Sequence, residues 1–501
     1  MANQQRTTRR RLNLYIFSAL LLLIVWYQRL YGSLSKSSFS QIATTNPALA
    51  NRPQSQSLDL AHDLSSARAP FISWPLRRLC DEQVQTAIIP GLVFICDNNS
   101  GGPGNIRNYI LTCLRYAIAA GATGMQMPRI RMRSEKDIVD LFLGGYRPFG
   151  YMFSEERFVD GLREACPHLQ IFLTGGEEGK EKEAMGLENI PGVLAKSERE
   201  GLPPDKLIYM IKPKDYGGDR SGSDQRDVNR YTDRFGDIFR DSLLDREKKF
   251  DLPPTSWENP MLVRLSWGVL WDWPVFRDGP EFAATFGGLL TIREDILQLA
   301  DSIVRIMRNN AISRSATNSL NDDPGMGGTR QSEDVRPKDA FLGIHLRTEQ
   351  DALTQWPTYE NQSIGYFQEA RRRGFEGGTA YLASGSAEET RKFAEDARSQ
   401  LDLDVKSKYD LLQTKDLAKL DEMSWDQQAL VDFAVLLQAD YFLGVSPSSF
   451  SINIALKRRL QLEGLHTRPW QIGSSDGRSW LVGSYRKYWD DWLFMFDGMW
   501  P

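Results

Sequence analysis

The chain opens on an apolar run, Leu12–Tyr27, interrupted only by Asn13 and Ser18 and followed by Gln28 and Arg29. The run is short for a membrane span, which takes about 17 to 25 residues, but Trp26, Tyr27 and Tyr31 are side chains that settle at a membrane interface. From Gly32 to about Gln85 the pattern lapses into Ser, Ala, Gln and Pro without a sustained period, the mark of a flexible stem. Periodicity returns near Thr86. Gly91–Cys96 is a short strand-type run, a Gly-rich loop follows, and Ile106, Ile110, Leu111, Leu114, Ala117 and Ile118 recur at helical spacing through Asn105–Ala120. A strand, loop and helix in that order form the building block of α/β domains. A charged stretch, Lys214–Asp251, and a polar one, Ser313–Lys338, read as long loops on either side of an amphipathic helix at Ile292–Arg308. Beyond Lys338, strand-like and helix-like segments alternate: Ala340–Leu346, Tyr366–Arg373, Thr379–Ser384, Glu388–Leu401, Asp426–Gln438, Tyr441–Val445 and Ser449–Lys457. The expected organisation is a tail and anchor over 1–31, a stem over 32–85, and two α/β domains, 86–290 and 291–501, with a cleft between them.

Charge changes this picture first at the N-terminus. Arg6, Arg9, Arg10 and Arg11 precede the apolar run, so the positive-inside rule keeps them cytosolic and sends the rest of the chain into a lumen. Bulky residues follow the run, with no small-residue cleavage site, which favours an uncleaved anchor over a removable signal peptide. The expected placement is a single-pass type II protein of the Golgi or endoplasmic reticulum membrane. Overall charge is nearly balanced, 61 Lys+Arg against 65 Asp+Glu for a net −4, which leaves no surplus to hold a phosphate backbone and argues against nucleic acid as a partner. Cys80, Cys96, Cys113 and Cys166 are too widely spaced for zinc and have no neighbouring His; in a lumen they fit two disulfides, with three connectivities open. Sequons at Asn98 and Asn361 agree with the same compartment.

Three segments carry chemistry. Asn98-Asn-Ser-Gly-Gly-Pro-Gly-Asn105 lies between strand and helix, where glycines let backbone N–H groups approach a ligand and the helix aims its positive end at it; a plain loop with Asn105 as N-cap is the alternative. In Phe341-Leu-Gly-Ile-His-Leu-Arg-Thr-Glu-Gln-Asp351 strand alternation puts His345 and Arg347 on one face at the strand's C-terminal end, where open α/β sheets bind ligands. A guanidinium's planar fork suits a diphosphate; the competing reading pairs Arg347 with Glu349 or Asp351. Ala439–Asn453 runs from a strand into Ser446, Ser448, Ser449 and Ser451 at a helix start, an anion cradle or an ordinary serine cap.

In this order and separation, Gly-Gly-Pro-Gly-Asn-Ile-Arg, His345-Leu-Arg-Thr-Glu-Gln-Asp351 and Ser448-Ser-Phe-Ser451 resemble the signature of the GDP-fucose O-fucosyltransferase superfamily. The second segment is most like the plant branch, and the third is closer to the animal protein O-fucosyltransferases. The resemblance covers roughly Ala87–Arg459. It implies a GT-B architecture of two Rossmann-like domains facing a cleft, and metal-independent inverting transfer of fucose from GDP-fucose to a protein hydroxyl, with no cofactor. Carried over by residue, it places Arg347 on the β-phosphate and leaving oxygen, and His345 on the nucleotide. Ser448, Ser449 and Phe450 fall on the diphosphate, Gly102 and Gly104 in the backbone cradle, and Asn105 against sugar or acceptor. Glu349 and Asp351 are candidates for the base or for orienting Arg347. Two departures stand out: Gly101, Gly102 and Pro103 occupy the place of an acid that serves some relatives as base, and Ala383-Ser-Gly-Ser386 replaces an acid that reads the nucleobase. Asp402-Leu-Asp404 matches a metal-binding Asp-x-Asp pattern but is frequent by chance. Two further readings are a transferase using another nucleotide sugar, such as a rhamnosyl donor, on a polysaccharide, and a non-catalytic glycan- or nucleotide-binding homologue.

Overall fold

The computed structural model describes residues 63–134, 139–174, 185–216, 234–321, 337–349, 356–463 and 477–501. The Leu12–Tyr27 run, most of the stem and Asp351 lie outside the described residues. Among those described, no helix is long and apolar enough to cross a membrane. All of them belong to one compact unit, His62–Pro501.

Two five-stranded sheets organise this unit, and every strand pair within them is parallel. The first contains β1 (Ile89–Ile95), β2 (Ala122–Gln126), β5 (Gln170–Phe172), β6 (Ile208–Ile211) and β7 (Met261–Leu265) in the order β5-β2-β1-β7-β6. Between them sits a small antiparallel hairpin of β3 (Ile130–Arg131) and β4 (Tyr146–Arg147). The second contains β8 (Leu342–His345), β9 (Thr379–Ala383), β10 (Asp404–Lys406), β11 (Tyr441–Val445) and β12 (Ser479–Val482) in the order β10-β9-β8-β11-β12. Parallel strands need crossover connections, and helices over both sheet faces bury them; hence β2, β8, β9 and β11 are buried at every position. In each sheet the first strand is central and order reverses beside it, which opens a crevice at the C-terminal strand ends.

The expected α/β architecture therefore holds, with local corrections. Part of the stretch read as stem is a helix, Trp74–Thr86, with Leu76 and Cys80 buried; Pro75 in its first turn fits the helix start. The charged Lys214–Asp251 stretch contains the helix Phe235–Lys249, whose Phe235, Phe239 and Leu243 are buried at i, i+4 and i+8 amid many charges. The helix expected at Ile292–Arg308 runs from Glu294 to Asn321, into the polar segment read as loop, and the first Pro or Gly beyond is Pro324. The last residues, assigned to the second domain, return to the first: Trp500 packs edge-on to Phe282 and Phe286, donates Nε1 to Thr112, and has its backbone N–H bonded to Asn108. One hydrophobic core accordingly runs through both halves, from Leu76 to Trp500.

The four cysteines pair Cys80–Cys166 and Cys96–Cys113, resolving the connectivity left open by the sequence. The first joins the Trp74–Thr86 helix to the residue that caps Glu155–Ala165; the second joins the end of β1 to the helix that follows it.

Candidate active site

Each chemical segment follows one of the crevice strands. The chain leaves β1 through Asp97, which is buried and paired with Arg129 at 2.8 Å and Arg264 at 2.8 Å. Asn99 fixes the turn, donating to Arg129 O at 2.8 Å and accepting the Arg131 N–H at 3.0 Å. Gly101 has φ +98°, and a Cβ there would lie 2.7 Å from Asn105 Nδ2, so only glycine fits. Gly102, not Asn105, caps the Pro103–Ala120 helix, because Pro103 is pre-set for the first helical position. Asn98, half-buried, donates to Leu265 O at 3.1 Å.

From β11 the chain passes a cis Ser446–Pro447 bond into the Ser449–Glu463 helix. A Cβ on Gly104 would sit 3.0 Å from Ser449 O, so the two helix starts meet there. Gly104 thus acts as the contact between helices and does not itself line the cleft. Two helix N-termini, each carrying roughly half a positive charge, converge on one place.

The end of β8 lies against the start of the Ser449–Glu463 helix. His345 is buried, with Nδ1 2.7 Å from Ser451 Oγ and its ring 4.7 Å from that of Phe450. Ser451 Oγ also accepts the Val445 N–H at 3.1 Å, which fixes the hydroxyl beside the ring. Burial, with help from the Arg347 charge and against Glu349, pushes His345 down to about 4, so the ring is neutral at physiological pH. Arg347 is held at both ends. Gln362, fully buried, accepts its N–H at 3.0 Å and donates to its carbonyl at 2.8 Å. Its guanidinium pairs with Glu349 and lies 5.7 Å from the Trp356 ring centre.

Glu349 receives the Thr348 N–H at 3.1 Å on Oε2 and the Gly385 N–H at 2.8 Å on Oε1. Burial is the largest influence and would raise its carboxyl, but the Arg347 and His345 charges and the hydrogen bonds it accepts together hold it below the ordinary value. An ionised group with both oxygens engaged orients Arg347; it is poorly placed to take a proton. The run Ala383-Ser-Gly-Ser386, which lacks an acid, supplies Glu349 with this N–H, and a Cβ on Gly385 would lie 2.6 Å from the carboxylate.

These residues line a cleft of about 1070 Å³ that contains Gly102, Asn105, His345, Arg347, Glu349, Ser448, Ser449 and Phe450. Sequence reasoning missed its other walls. One is the turn after β10, where buried Lys408 donates to Asp432 Oδ2 at 2.7 Å and Tyr381 donates to Oδ1 at 2.5 Å. Another is built by Trp267, Trp271 and Trp492. The i, i+4 spacing of Trp267 and Trp271 was visible; nothing local joins Lys408 to Asp432. Asp402 and Asp404 lie elsewhere, paired with Arg314 at 2.9 Å and Lys406 at 3.3 Å.

Paired parallel sheets with an arginine and two helix starts at their shared crevice describe a GT-B-like transferase for phosphate-activated substrates. The sequence matches the profile of the GDP-fucose protein O-fucosyltransferase family over residues 92–461, and the chain belongs to that family; it is a glycosyltransferase of the fucosyltransferase kind. No curated protein sequence matches it. Among solved structures, POFUT1 in complex with GDP is 13% identical, covers 79% of this chain and 100% of that one, and gives a TM-score of 0.38. FUT1 of Arabidopsis thaliana, a mutant in complex with GDP, is 10% identical over 76% of this chain and 71% of that one, at 0.30. NodZ from Bradyrhizobium is 12% identical over 73% and 92%, at 0.32.

Proposed function

We propose that the protein transfers fucose from GDP-fucose to an acceptor hydroxyl with inversion at the anomeric carbon. The acceptor oxygen attacks that carbon as its bond to the β-phosphate oxygen breaks; GDP departs, and the hydroxyl proton is released. The observation that supports this reading most is that Arg347 lines the same cleft as the starts of Pro103–Ala120 and Ser449–Glu463. Breaking the bond places negative charge on the diphosphate and positive charge on the sugar ring, and fixed donors aimed at the former lower the barrier. In this assignment His345 and the Ser448 and Ser449 groups hold the nucleotide, Phe450 packs beside it, and Asn105 faces the sugar. Glu349 keeps Arg347 in place. Lys408 and Asp432, paired with each other in the same cleft, offer charged groups for the nucleobase. The family description names a protein hydroxyl as acceptor.

The basic residues before Leu12–Tyr27 and the two disulfides support a type II protein with its enzyme part in the Golgi or endoplasmic reticulum lumen.

Thermal unfolding with GDP, UDP and dTDP tests the donor, since a ligand that binds the folded state raises the melting temperature. GDP alone is expected to stabilise. Stabilisation by UDP or dTDP in its place would point to another nucleotide sugar, and none by any would leave a non-catalytic homologue. Turnover is expected to persist in excess EDTA; complete loss, restored by Mn²⁺, would overturn the metal-independent route.

A further inference from the structure

The chain holds two Asn-x-Ser triplets, Asn98-Asn-Ser100 and Asn361-Gln-Ser363, neither with proline in the middle. Such a triplet accepts an N-linked oligosaccharide when it passes through the secretory lumen. Transfer takes place on the chain before it folds, so the fold decides which triplet keeps its sugar: a bulky, solvated glycan needs a clear exit to water. The two asparagines differ in that respect. Asn98 stands in the turn that leads from β1 to the Pro103–Ala120 helix. Its neighbours Asp97, Asn99 and Ser100 are exposed at 1%, 0% and 0%. Its Nδ2, the atom a sugar would take, is turned inward and donates to Leu265 O at 3.1 Å. An oligosaccharide here would displace the end of β7 and with it the turn that brings Gly102 and Asn105 to the cleft. A chain carrying one would not reach this fold.

Asn361 lies in the first turn of the Tyr359–Arg372 helix, where the side chain of the N-cap Thr358 accepts its backbone N–H at 3.3 Å. Tyr359, Gln362, Ser363, Tyr366 and Phe367 make the buried face of that helix. At 3.6 residues per turn, Asn361, Ile364 and Gln368 therefore share the opposite face, and all three are exposed. The Asn361 side-chain amide makes no hydrogen bond among the described residues, so a sugar on Nδ2 displaces no contact there. Asn361 is not among the residues that line the cleft, and a glycan on this face leaves donor entry open. Ile364, three residues on and exposed at 56%, is within reach of the first sugar, whose C–H face covers apolar surface.

We propose that Asn361 carries an N-linked oligosaccharide in the folded protein and that Asn98 carries none. The sugar comes from an oligosaccharide held on a lipid diphosphate. Asn361 Nδ2 bonds to its anomeric carbon, the bond from that carbon to the diphosphate oxygen breaks, the lipid diphosphate leaves, and Nδ2 gives up one proton. The proposal rests on the lumenal reading above. To test it, the full chain is made in a eukaryotic cell and its folded form is purified through an N-terminal tag. An amidase that releases N-glycans should remove one glycan from the native chain and from Asn98→Gln, and none from Asn361→Gln or Ser363→Ala. Peptide mass spectrometry of the native chain after release, which needs no variant, should find asparagine converted to aspartate at 361 and not at 98. A bare Asn361 in protein whose two disulfides are closed would overturn the proposal, as would a glycan on Asn98 of the folded chain. Protein with no glycan and all four cysteines free would overturn the lumenal reading, and the proposal with it.

Discussion

In the proposed mechanism, Arg347 is the residue on which the transfer chemistry turns. Arg347→Lys keeps the charge but loses the fork, and removal of one preorganised contact of this kind costs roughly 10²- to 10³-fold in kcat. Donor binding should suffer less than turnover, because the contact strengthens as charge develops. Steady-state kinetics beside a melting curve decide the point: normal turnover with normal melting would remove Arg347 from the mechanism. His345 makes a separate prediction. Its folded value near 4 lies below the ordinary 6.5, so it contributes stability that is fully present above pH 6.5 and lost as pH falls toward 4. His345→Gln should lessen that acid loss in a pH series of melting temperatures, and the pH–rate profile of the native enzyme should show no break near 6.5 from this ring. Both residues were legible in the sequence because strand alternation alone puts positions 345 and 347 on one face. The clamp of Gln362 on the Arg347 backbone was not, since it depends on a helix 15 residues away turning its amide back onto the strand end.

At the scale of elements, one link between the halves beside the cleft joins the segment after β3 to the Trp425–Leu437 helix. The Arg133 N–H donates to Asp426 at 2.7 Å, the Arg133 guanidinium lies 5.7 Å from the Trp425 ring, and Gln427 donates to Tyr151 O at 2.8 Å. Burial raises Asp426 to about 7, against the Arg133 N–H and charge, which pull it down. An acid with a raised folded value binds its proton more readily folded than unfolded. Stability from this group therefore falls as pH rises from about 4 through 7, opposite in sign to His345. Asp426→Asn should raise the melting temperature at pH 8 and flatten its change between pH 6 and 8, a window that His345 hardly touches. An unchanged slope would remove Asp426 as its source. Helices and strands with clear periods, such as β8 and Asp426–Gln438, were readable in the sequence. Trp74–Thr86 and Phe235–Lys249 were not, because a few buried positions sit among charges that dominate the local composition.

Across the whole molecule, the alternation of strands and helices announced two sheets, but nothing local announced that they share a core. That sharing rests on contacts between the ends of the described fold. Arg107, fully buried, donates to Trp500 O at 2.7 Å, Pro501 O at 2.6 Å and Gly287 O at 2.8 Å. Burial lowers its guanidinium to about 10, still charged at neutral pH. Arg107→Leu would remove a donor from three buried oxygens, but Trp500 O keeps Asn453 Nδ2 and Gly287 O keeps the Leu290 N–H, so Pro501 O is the one left stranded and a loss of about 1–3 kcal/mol is expected in denaturant melts. A loss under about 1 kcal/mol, the net worth of one ordinary hydrogen bond, would mean the contact is dispensable. The disulfides add a manufacturing consequence. Cys96–Cys113 closes a 17-residue ring around the Gly101–Asn105 turn, and Cys80–Cys166 closes one of 86, both on the first sheet's side. Chain-entropy arguments give such rings about 3 to 5 kcal/mol each. Expression in a bacterial cytosol should thus yield material that unfolds at lower denaturant concentration than protein exported to the periplasm, where both rings can close.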